Sequence, residues 1–252
     1  MRIANRSDVG RIRMVNEDRA AVMADCNGYA LAVVADGMGG HKAGDIASQL
    51  AIETIQESLV RTLQPGSGPE ECGQTVKKAV LEANRTIFEA ASRTVEYSGM
   101  GTTAIVTLAD RERLILGHIG DSRAYLLQGG HFRQLTEDHS LVNVLIRTGQ
   151  ITEEEAERHP RRNILMRALG TELEVDVDII QTEWSDGDIV LICTDGLSGA
   201  VPKEELELVL KSDADLDGKA DRLVHKALEA GGDDNITVVL MANDPNPSGE
   251  AR

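Results

Sequence analysis

The stretch Tyr29-Ala-Leu-Ala-Val-Val-Ala35, followed at once by Asp36-Gly37, is the part of the sequence that decides the fold. A short uncharged run that stops at a turn dipeptide is typical of a strand buried on both faces. A second stretch has the same plan, because the apolar run over 189–194 leads directly into Asp195-Gly196. The sequence therefore predicts at least two buried strands that each end in a carboxylate.

Two further acids lie at the ends of predicted strands. Asp121 comes just after an apolar run over 114–119, and Asp234 lies just before one over 236–242. An Asp-Gly pair alone is a common turn signal, as at Asp186-Gly187. Carboxylates that buried strands bring together repel one another and raise one another's pKa unless a cation neutralises them. We therefore expect the acids at the strand ends to bind a cation.

The donor atoms indicate which cation to expect. The sequence offers carboxylates and backbone carbonyls, and it has no Cys and His spacing suited to zinc, so Mg²⁺ or Mn²⁺ fits best. Gly37 would let a backbone carbonyl approach the ion as well. Two such ions about 3.5–4 Å apart can lower the pKa of a shared water and clamp a displacement at phosphorus. From the residues alone, we infer a two-metal phosphoesterase.

A phosphate site also needs a permanent positive charge, and Arg13 is the candidate. It lies four and five positions before Glu17 and Asp18. Arginine binds phosphate oxygens in a bidentate manner that lysine does not match. An ordinary ion pair on the surface explains these three residues more simply, so this pattern alone does not assign the role.

The order of the predicted elements indicates the architecture. Antiparallel strands cluster together and the long helices come in pairs, without the strict strand-helix alternation of a doubly wound sheet. We therefore expect an α+β layered sandwich in a single domain over 1–242, with a polar surface segment over about 140–167 and a disordered tail over 243–252. The predicted helices cover 43–63, 69 to about 94, 204–211 and 219–230, and the predicted strands cover 29–35, 102–108, 114–119, 124–127, 131–135, 175–182, 189–194 and 236–242.

Composition excludes several classes of partner. The formal net charge is −16 and aromatic residues make up 2%, so neither a phosphate-backbone footprint nor a base-stacking platform is expected. The sequence shows no signal peptide and no apolar run of membrane-spanning length. Its three cysteines are odd in number and far apart, which favours reduced thiols. We expect a cytoplasmic monomer that binds neither nucleic acid nor membrane.

Six short motifs together resemble the bacterial form of the type-2C metal-dependent serine/threonine protein phosphatases, also called the PPM family. They stand in the family's order from about residue 6 to residue 241, which is nearly the whole chain. The motifs are Asn16-Glu-Asp-Arg19, Ala35-Asp-Gly-Met-Gly-Gly40, Gly101-Thr-Thr-Ala104, Gly117-His-Ile-Gly-Asp-Ser-Arg123, Thr194-Asp-Gly-Leu197 and Gly232-Asp-Asp-Asn-Ile-Thr237.

The resemblance implies a four-layer αββα sandwich, two central antiparallel sheets flanked by helix pairs, with the metal centre at one end. It implies that Asp36 bridges two Mn²⁺ or Mg²⁺ ions and that the Gly37 carbonyl binds one of them. Asp195 and Asp234 would bind one ion, Glu17 and Asp18 would bind the other directly or through water, and Asp121 with Asp195 would hold a third ion found in bacterial members.

The resemblance further implies roles for residues around the ions. Arg13 would bind the phosphate, Asn235 would orient Asp234, and His139 would tie the segment over 140–167, the family's flap, to the sheet. A hydroxide bridging the two ions would attack phosphoserine or phosphothreonine in proteins, with no phosphoenzyme. The implied partners are phosphorylated proteins and a cognate serine/threonine kinase with its substrates, in signal transduction.

One departure from the family pattern concerns the general acid. Many eukaryotic relatives have a His directly after the Asp-Gly, whereas this sequence has Met38 there and its nearest histidine is His41. His41 could protonate the leaving alkoxide, bind a water, or cap the following helix; otherwise a metal-bound water is the acid. Two readings without catalysis also stay open: a phosphoprotein-binding switch of the same fold, and an acidic cation-binding protein.

Overall fold

The computed structural model describes residues 1–39 and 43–244. Within them the strands are β1 (Arg2–Asp8), β2 (Asp18–Cys26), β3 (Tyr29–Met38), β4 (Gly101–Thr102), β5 (Ala104–Ala109), β6 (Arg113–Ile119), β7 (Arg123–Gln128), β8 (His131–Gln134), β9 (Asp178–Glu183), β10 (Ile189–Cys193) and β11 (Ile236–Ala242). The helices are α1 (Ala43–Thr62), α2 (Pro69–Arg93), α3 (Leu141–Arg147), α4 (Glu153–Glu157), α5 (Asp195–Ser198), α6 (Lys203–Lys211) and α7 (Leu216–Glu229), and Val95–Tyr97 forms one 3₁₀ turn.

The strands form two sheets in which every pair of neighbours is antiparallel. One sheet has the order β1-β11-β10-β7-β8, and the other has the order β2-β3-β5-β6-β9 with β4 paired to β3. Helices α1 and α2 cover the outer face of the second sheet, while α6 and α7 cover the outer face of the first. The predicted α+β sandwich of four layers is therefore confirmed.

Strand β3 shows why its sequence is apolar at every position. Leu31 and Val33 pack into the core beneath α1 and α2. Ala32 and Val34 point the other way and pack into the core between the two sheets. Side chains alternate along a strand, so a strand with helices on one face and a sheet on the other must be apolar on both. By the same alternation, Asp36 lies on the same face of β3 as Ala32 and Val34, near the end of the strand at the edge of the sandwich.

Strand β10 follows the same rule in the other sheet. Leu191 and Cys193 pack toward α6 and α7, whereas Val190 and Ile192 pack between the sheets. The two strands that the sequence analysis singled out are thus interior strands of opposite sheets. Each is buried on both faces up to the point where its carboxylate follows.

Several elements differ from the sequence prediction. The predicted strands left out β1 and β2, both of which mix polar and apolar residues along their length. The predicted strand over 175–182 forms only from Asp178. The fold also extends into the expected tail, since Asn243 is fully buried and its side-chain amide donates to the Arg111 carbonyl at 2.9 Å. Residues 245–252 of the expected tail lie outside the described residues.

The segment over 140–167, predicted as a polar surface segment, contains two short capped helices. Ser140 caps α3, and Thr152 caps α4 through a capping box with Glu155. A bridge between Ser140 and Leu165 closes the base of the segment. None of the described helices combines the length and the apolarity that crossing a lipid bilayer requires.

The core between the sheets yields a stability prediction. Ile192 is fully buried there, so Ile192→Ala leaves a cavity and should lower the free energy of unfolding by about 2–5 kcal/mol. Val95 is 92% exposed, so Val95→Ala is the matched control and should change it by less than about 0.5 kcal/mol. Urea unfolding of both variants measures the difference; equal midpoints would contradict the assignment of Ile192 to the core.

Candidate metal centre

Carboxylates from both sheets converge at one end of the sandwich. Asp18 begins β2 and lies directly opposite Asp36 of β3 in the strand register. In the other sheet, Asp195 follows β10 and Asp234 precedes β11, its antiparallel neighbour. The Thr194 hydroxyl joins the two groups by donating to Asp18 Oδ2 at 2.8 Å. The predicted strand-end acids are therefore together.

Burial and mutual repulsion disfavour the charged form of these acids. Burial, opposed by hydrogen bonds from Thr237 and Thr194 and assisted by nearby acids, raises the pKa of Asp18 to about 7. Burial, followed by the charges of Asp18 and Asp195, raises the pKa of Asp36 well above its ordinary value. The pKa of Asp195 is raised by burial and by Asp234. Without a cation, the cluster thus stores unfavourable electrostatic energy.

Two oxygen atoms in the cluster lack hydrogen-bond partners. Glu17 Oε1 and Asp18 Oδ1 are both buried, and neither accepts a hydrogen bond within the described residues. A buried carboxylate oxygen without a donor is costly, whereas it is a suitable ligand for a hard cation. These orphaned oxygens, in an all-oxygen donor set, fit Mg²⁺ or Mn²⁺.

The two Asp-Gly pairs of the cluster need glycine for close packing rather than for a turn. A Cβ on Gly37 would lie 2.0 Å from the Gly44 carbonyl oxygen, and one on Gly196 would lie 1.9 Å from the Asn235 carbonyl oxygen. Gly187, by contrast, has a φ of +91° and open space around it, as a turn glycine does. The Asp-Gly pairs that follow apolar runs therefore differ physically from the turn at Asp186-Gly187.

Helix α1 begins against the cluster, and its second residue is a contact that the sequence analysis missed. A Cβ on Gly44 would lie 2.7 Å from Glu17 Oε1 and 2.8 Å from the Gly37 carbonyl oxygen. The only sequence signal for this contact is a glycine inside the first turn of a helix, where glycine is otherwise unfavourable.

Two threonines hold the backbone of Asp36, and their role was also missed. Thr102 donates its hydroxyl to the Asp36 carbonyl at 2.8 Å, while the Thr103 hydroxyl accepts from the Asp36 N–H at 3.0 Å. Because they belong to the Gly101-Thr-Thr-Ala104 motif, the motif was visible in the sequence but its contacts were not. They fix the position of the residue at the centre of the cluster.

Arg13 lies at the open edge of the cluster. Its Nη2 donates to Asp234 Oδ2 at 2.7 Å, and its side chain is 48% exposed. The guanidinium thus neutralises part of the acidic charge while it stays accessible to an anion from solvent. The ion pair that the sequence suggested with Glu17 or Asp18 is formed with Asp234 instead.

Asp121 lies beside Asp195. Burial and the charges of Asp195 and Asp138 raise the pKa of Asp121 to about 7. Gly120 before it has a φ of +109°, and a Cβ there would lie 2.6 Å from the Thr103 Cβ, so only glycine fits. Asp121 therefore offers a further carboxylate next to Asp195. His41, the candidate acid, lies outside the described residues.

A second cluster, of His118, His139 and Asp178, brings three possible ligand atoms within 4.8 Å of one another. Gly120 N–H donates to His139 Nδ1 at 3.1 Å, so the proton of the neutral ring lies on Nε2, which faces Asp178 Oδ2 at 3.1 Å. A metal at Nε2 would move that proton to Nδ1, against the Gly120 N–H. We therefore interpret this cluster as a hydrogen-bonded clamp at the base of the segment over 140–167.

Comparison with known proteins gives one consistent family. The model of the family described as protein phosphatase 2C matches residues 11–238. The serine/threonine phosphatase stp of Listeria monocytogenes is 43% identical over 244 residues, which cover 97% of this chain and 96% of that protein. The sandwich is similar to the serine/threonine phosphatase PstP/Ppp of Mycobacterium tuberculosis, with a TM-score of 0.86, 40% identity and coverage of 96% and 98%.

A further structure of this kind contains metal. The catalytic domain of the serine/threonine protein phosphatase PstP in complex with 2 manganese ions matches with a TM-score of 0.82 and 39% identity. The match covers 95% of this chain and 96% of that one.

The raised pKa values predict how the metal-free protein responds to pH. The pKa of Asp18 and of Asp121 is about 7 in the folded state, against an ordinary 3.8. The folded state then binds more protons than the unfolded state from about pH 4 to about pH 7, so the free energy of unfolding falls across that range and the fall ends as pH passes about 7. Chelator-treated protein should show the last part of this loss of thermal stability between about pH 6.5 and about pH 7.5, and Asp36→Asn should gain about 1–3 kcal/mol at the upper end.

Thermal unfolding with and without Mn²⁺ measures both effects. Mn²⁺ should stabilise the wild type and not Asp36→Asn. Burial lowers the pKa of His118 to about 3. Its contribution to the free energy of unfolding is therefore lost only as pH falls below about 6.5, outside this range. If chelator-treated Asp36→Asn melts at a lower temperature than chelator-treated wild type at the upper pH, the proposed repulsion among the carboxylates would be contradicted.

Proposed function

Because this chain belongs to the protein phosphatase 2C family, we propose that its cluster of strand-end carboxylates is the metal centre of a protein phosphatase. The chain is a metal-dependent serine/threonine protein phosphatase, a hydrolase. One observation carries the proposal for the site. The buried, mutually repelling carboxylates include two oxygen atoms that no donor within the described residues satisfies, at the place where both sheets end.

The surroundings of the side chains support an assignment of the individual ligands. The charges of Asp18 and Asp195, one from each sheet, both act on Asp36, so it is our candidate for the bridging ligand, and the Gly37 carbonyl follows it directly. Asp195 and Asp234 belong to one ion and Glu17 and Asp18 to the other. The manganese complex of the PstP domain supports two Mn²⁺ ions.

A third ion is part of the proposal. Asp121 and Asp195 are our candidates for its ligands, because the charge of Asp195 raises the pKa of the buried Asp121. When bound, divalent ions lower the pKa of water at such a site and neutralise charge on the phosphoryl group.

Arg13 binds the phosphoryl oxygens of the substrate in this proposal. Its guanidinium is already at the cluster, half exposed, and pairs with the carboxylate of Asp234. A planar guanidinium binds two phosphate oxygens at once, which orients the phosphorus as well as attracting it. Since the protein carries a net charge of −16, this local positive charge offsets a surface that otherwise repels phosphorylated substrates.

The remaining assignments concern the whole chain. We propose one catalytic domain that covers the predicted residues 1–242 together with the buried Asn243, in which the segment over 140–167 is a flap beside the site. Substrates are phosphoserine and phosphothreonine proteins, opposed by a cognate serine/threonine kinase. The protein acts as a cytoplasmic monomer, and its three free, buried cysteines are consistent with a reducing compartment.

A phosphothreonine peptide tests the metal assignment. With Mn²⁺, turnover should be measurable; with chelator or with Asp36→Asn, it should fall by about 100-fold or more. Asp217→Asn is the matched control, because Asp217 is 66% exposed and pairs with Arg6 on the surface. Equal turnover in chelator and in Mn²⁺ would contradict the assignment, and no turnover under any condition would favour a phosphoprotein-binding switch.

Substrates with different leaving groups test His41 as the general acid. An alkoxide needs a proton as it leaves, whereas an aryl oxide does not, so His41→Ala should slow phosphothreonine hydrolysis by about 10-fold or more and leave aryl phosphate hydrolysis nearly unchanged. The kcat for each substrate at saturating Mn²⁺ decides the matter. Equal small losses on both substrates would remove His41 from this role.

A further inference from the structure

The loop over 9–17 connects the two sheets at the metal centre. It leaves β1 in one sheet, enters β2 in the other, and carries both Arg13 and Glu17. Its tip is open to solvent, since the exposed fractions are 66% for Ile12 and 95% for Met14. Core packing of the tip therefore does not fix where Arg13 lies.

The side chain of Asn235 closes this loop at its neck. Its Nδ2 donates to the carbonyl of Val9 at 2.9 Å and to that of Val15 at 3.0 Å. Its Oδ1 accepts from the N–H of Glu17 at 2.8 Å. All three hydrogen bonds of the side-chain amide go to one loop. They join Val9, at the start of the loop, to Val15 and Glu17, at its end.

Asn235 was expected to orient Asp234. In the structure, its backbone and its side chain contact different partners. Only the backbone N–H of Asn235 reaches Asp234, donating to Oδ1 at 2.8 Å. The side chain is 95% buried, with an exposed fraction of 5%, and is used entirely on the loop. Asp234 in turn accepts from Arg13, so one dipeptide contacts both the neck and the tip of the loop.

We propose that Asn235 is a positioning residue for phosphate binding, which acts by holding the loop over 9–17 so that Arg13 faces the metal centre. The inference rests on the assignment of Arg13 as the phosphate ligand. Losing the amide removes three hydrogen bonds at the neck and leaves the loop held by weaker ties, such as Asn16 Nδ2 to Ser7 Oγ at 2.8 Å and the Arg11 N–H to the Gly232 carbonyl at 2.7 Å. The guanidinium then spends less time in the geometry that binds an anion.

A double-mutant cycle tests the link between the two residues. The measured quantity is the inhibition constant of inorganic phosphate against an aryl phosphate substrate, at saturating Mn²⁺. Arg13→Ala should raise it by about 10-fold or more, and Asn235→Ala by about 5-fold. If Asn235 acts through Arg13, the double variant should bind phosphate no more weakly than Arg13→Ala alone. In Asn235→Ala, kcat should change by a smaller factor than the inhibition constant.

Asn84 provides a matched control. It is another buried asparagine that accepts one backbone bond, from Gly170 at 2.7 Å, and donates two, to the carbonyls of Glu172 and Leu173. Asn84→Ala should lower the melting temperature to a similar extent and leave the phosphate inhibition constant within about twofold. Trypsin should cleave after Arg11 or Arg13 faster in Asn235→Ala than in Asn84→Ala.

The outcomes separate the two assignments. No effect of Arg13→Ala would overturn the proposed phosphate ligand and this inference with it. If Arg13→Ala raises the phosphate inhibition constant and the double variant raises it by the product of the two single effects, the positioning role alone would be overturned. Should Asn235→Ala not fold, hydrogen exchange of the wild type decides: the Glu17 amide should exchange at least about 100-fold more slowly than that of Met14, and equal rates would overturn the closed neck.

Discussion

Repulsion among buried carboxylates is the constraint on which the rest of this structure depends. Asp18 and Asp36 face each other across one sheet, and Asp195 and Asp234 meet them from the other. Such a cluster is unfavourable in a protein that holds no cation, so its persistence in the fold makes sense as a binding site. Hydrophobic burial elsewhere offsets the cost, and divalent cations convert the same charges into binding energy.

The four-layer sandwich serves this constraint by placing rigid strand ends opposite each other. Strands β3 and β10 are buried on both faces, so they have little freedom to shift, and the acids that follow them inherit that rigidity. Close backbone contacts at Gly37 and Gly196 add to it, since no side chain would fit there. The part of the site most exposed to solvent is the loop with Arg13.

Local patterns in the sequence were sufficient for the central strands and for the acids at their ends. They also predicted the paired helices, because apolar periodicity and turn signals act over a few positions. The contacts of Asn235 and Thr194 were not predictable in this way. Asn235 and Glu17 lie 218 positions apart, and Thr194 and Asp18 lie 176 apart. Strands β1 and β2 were left out of the predicted set because they mix polar and apolar residues, which weakens the alternation signal.

In the proposed metal centre, divalent cations replace protons in the carboxylate cluster. Titration calorimetry of the chelator-treated protein with Mn²⁺ near pH 6.5, in buffers of different ionisation enthalpy, measures the ions bound and the protons released together. We expect about two or more ions per chain and a net release of about one proton or more, because the pKa of Asp18 and of Asp121 is about 7. Binding without proton release, or unchanged binding in Asp36→Asn, would contradict this exchange of protons for cations.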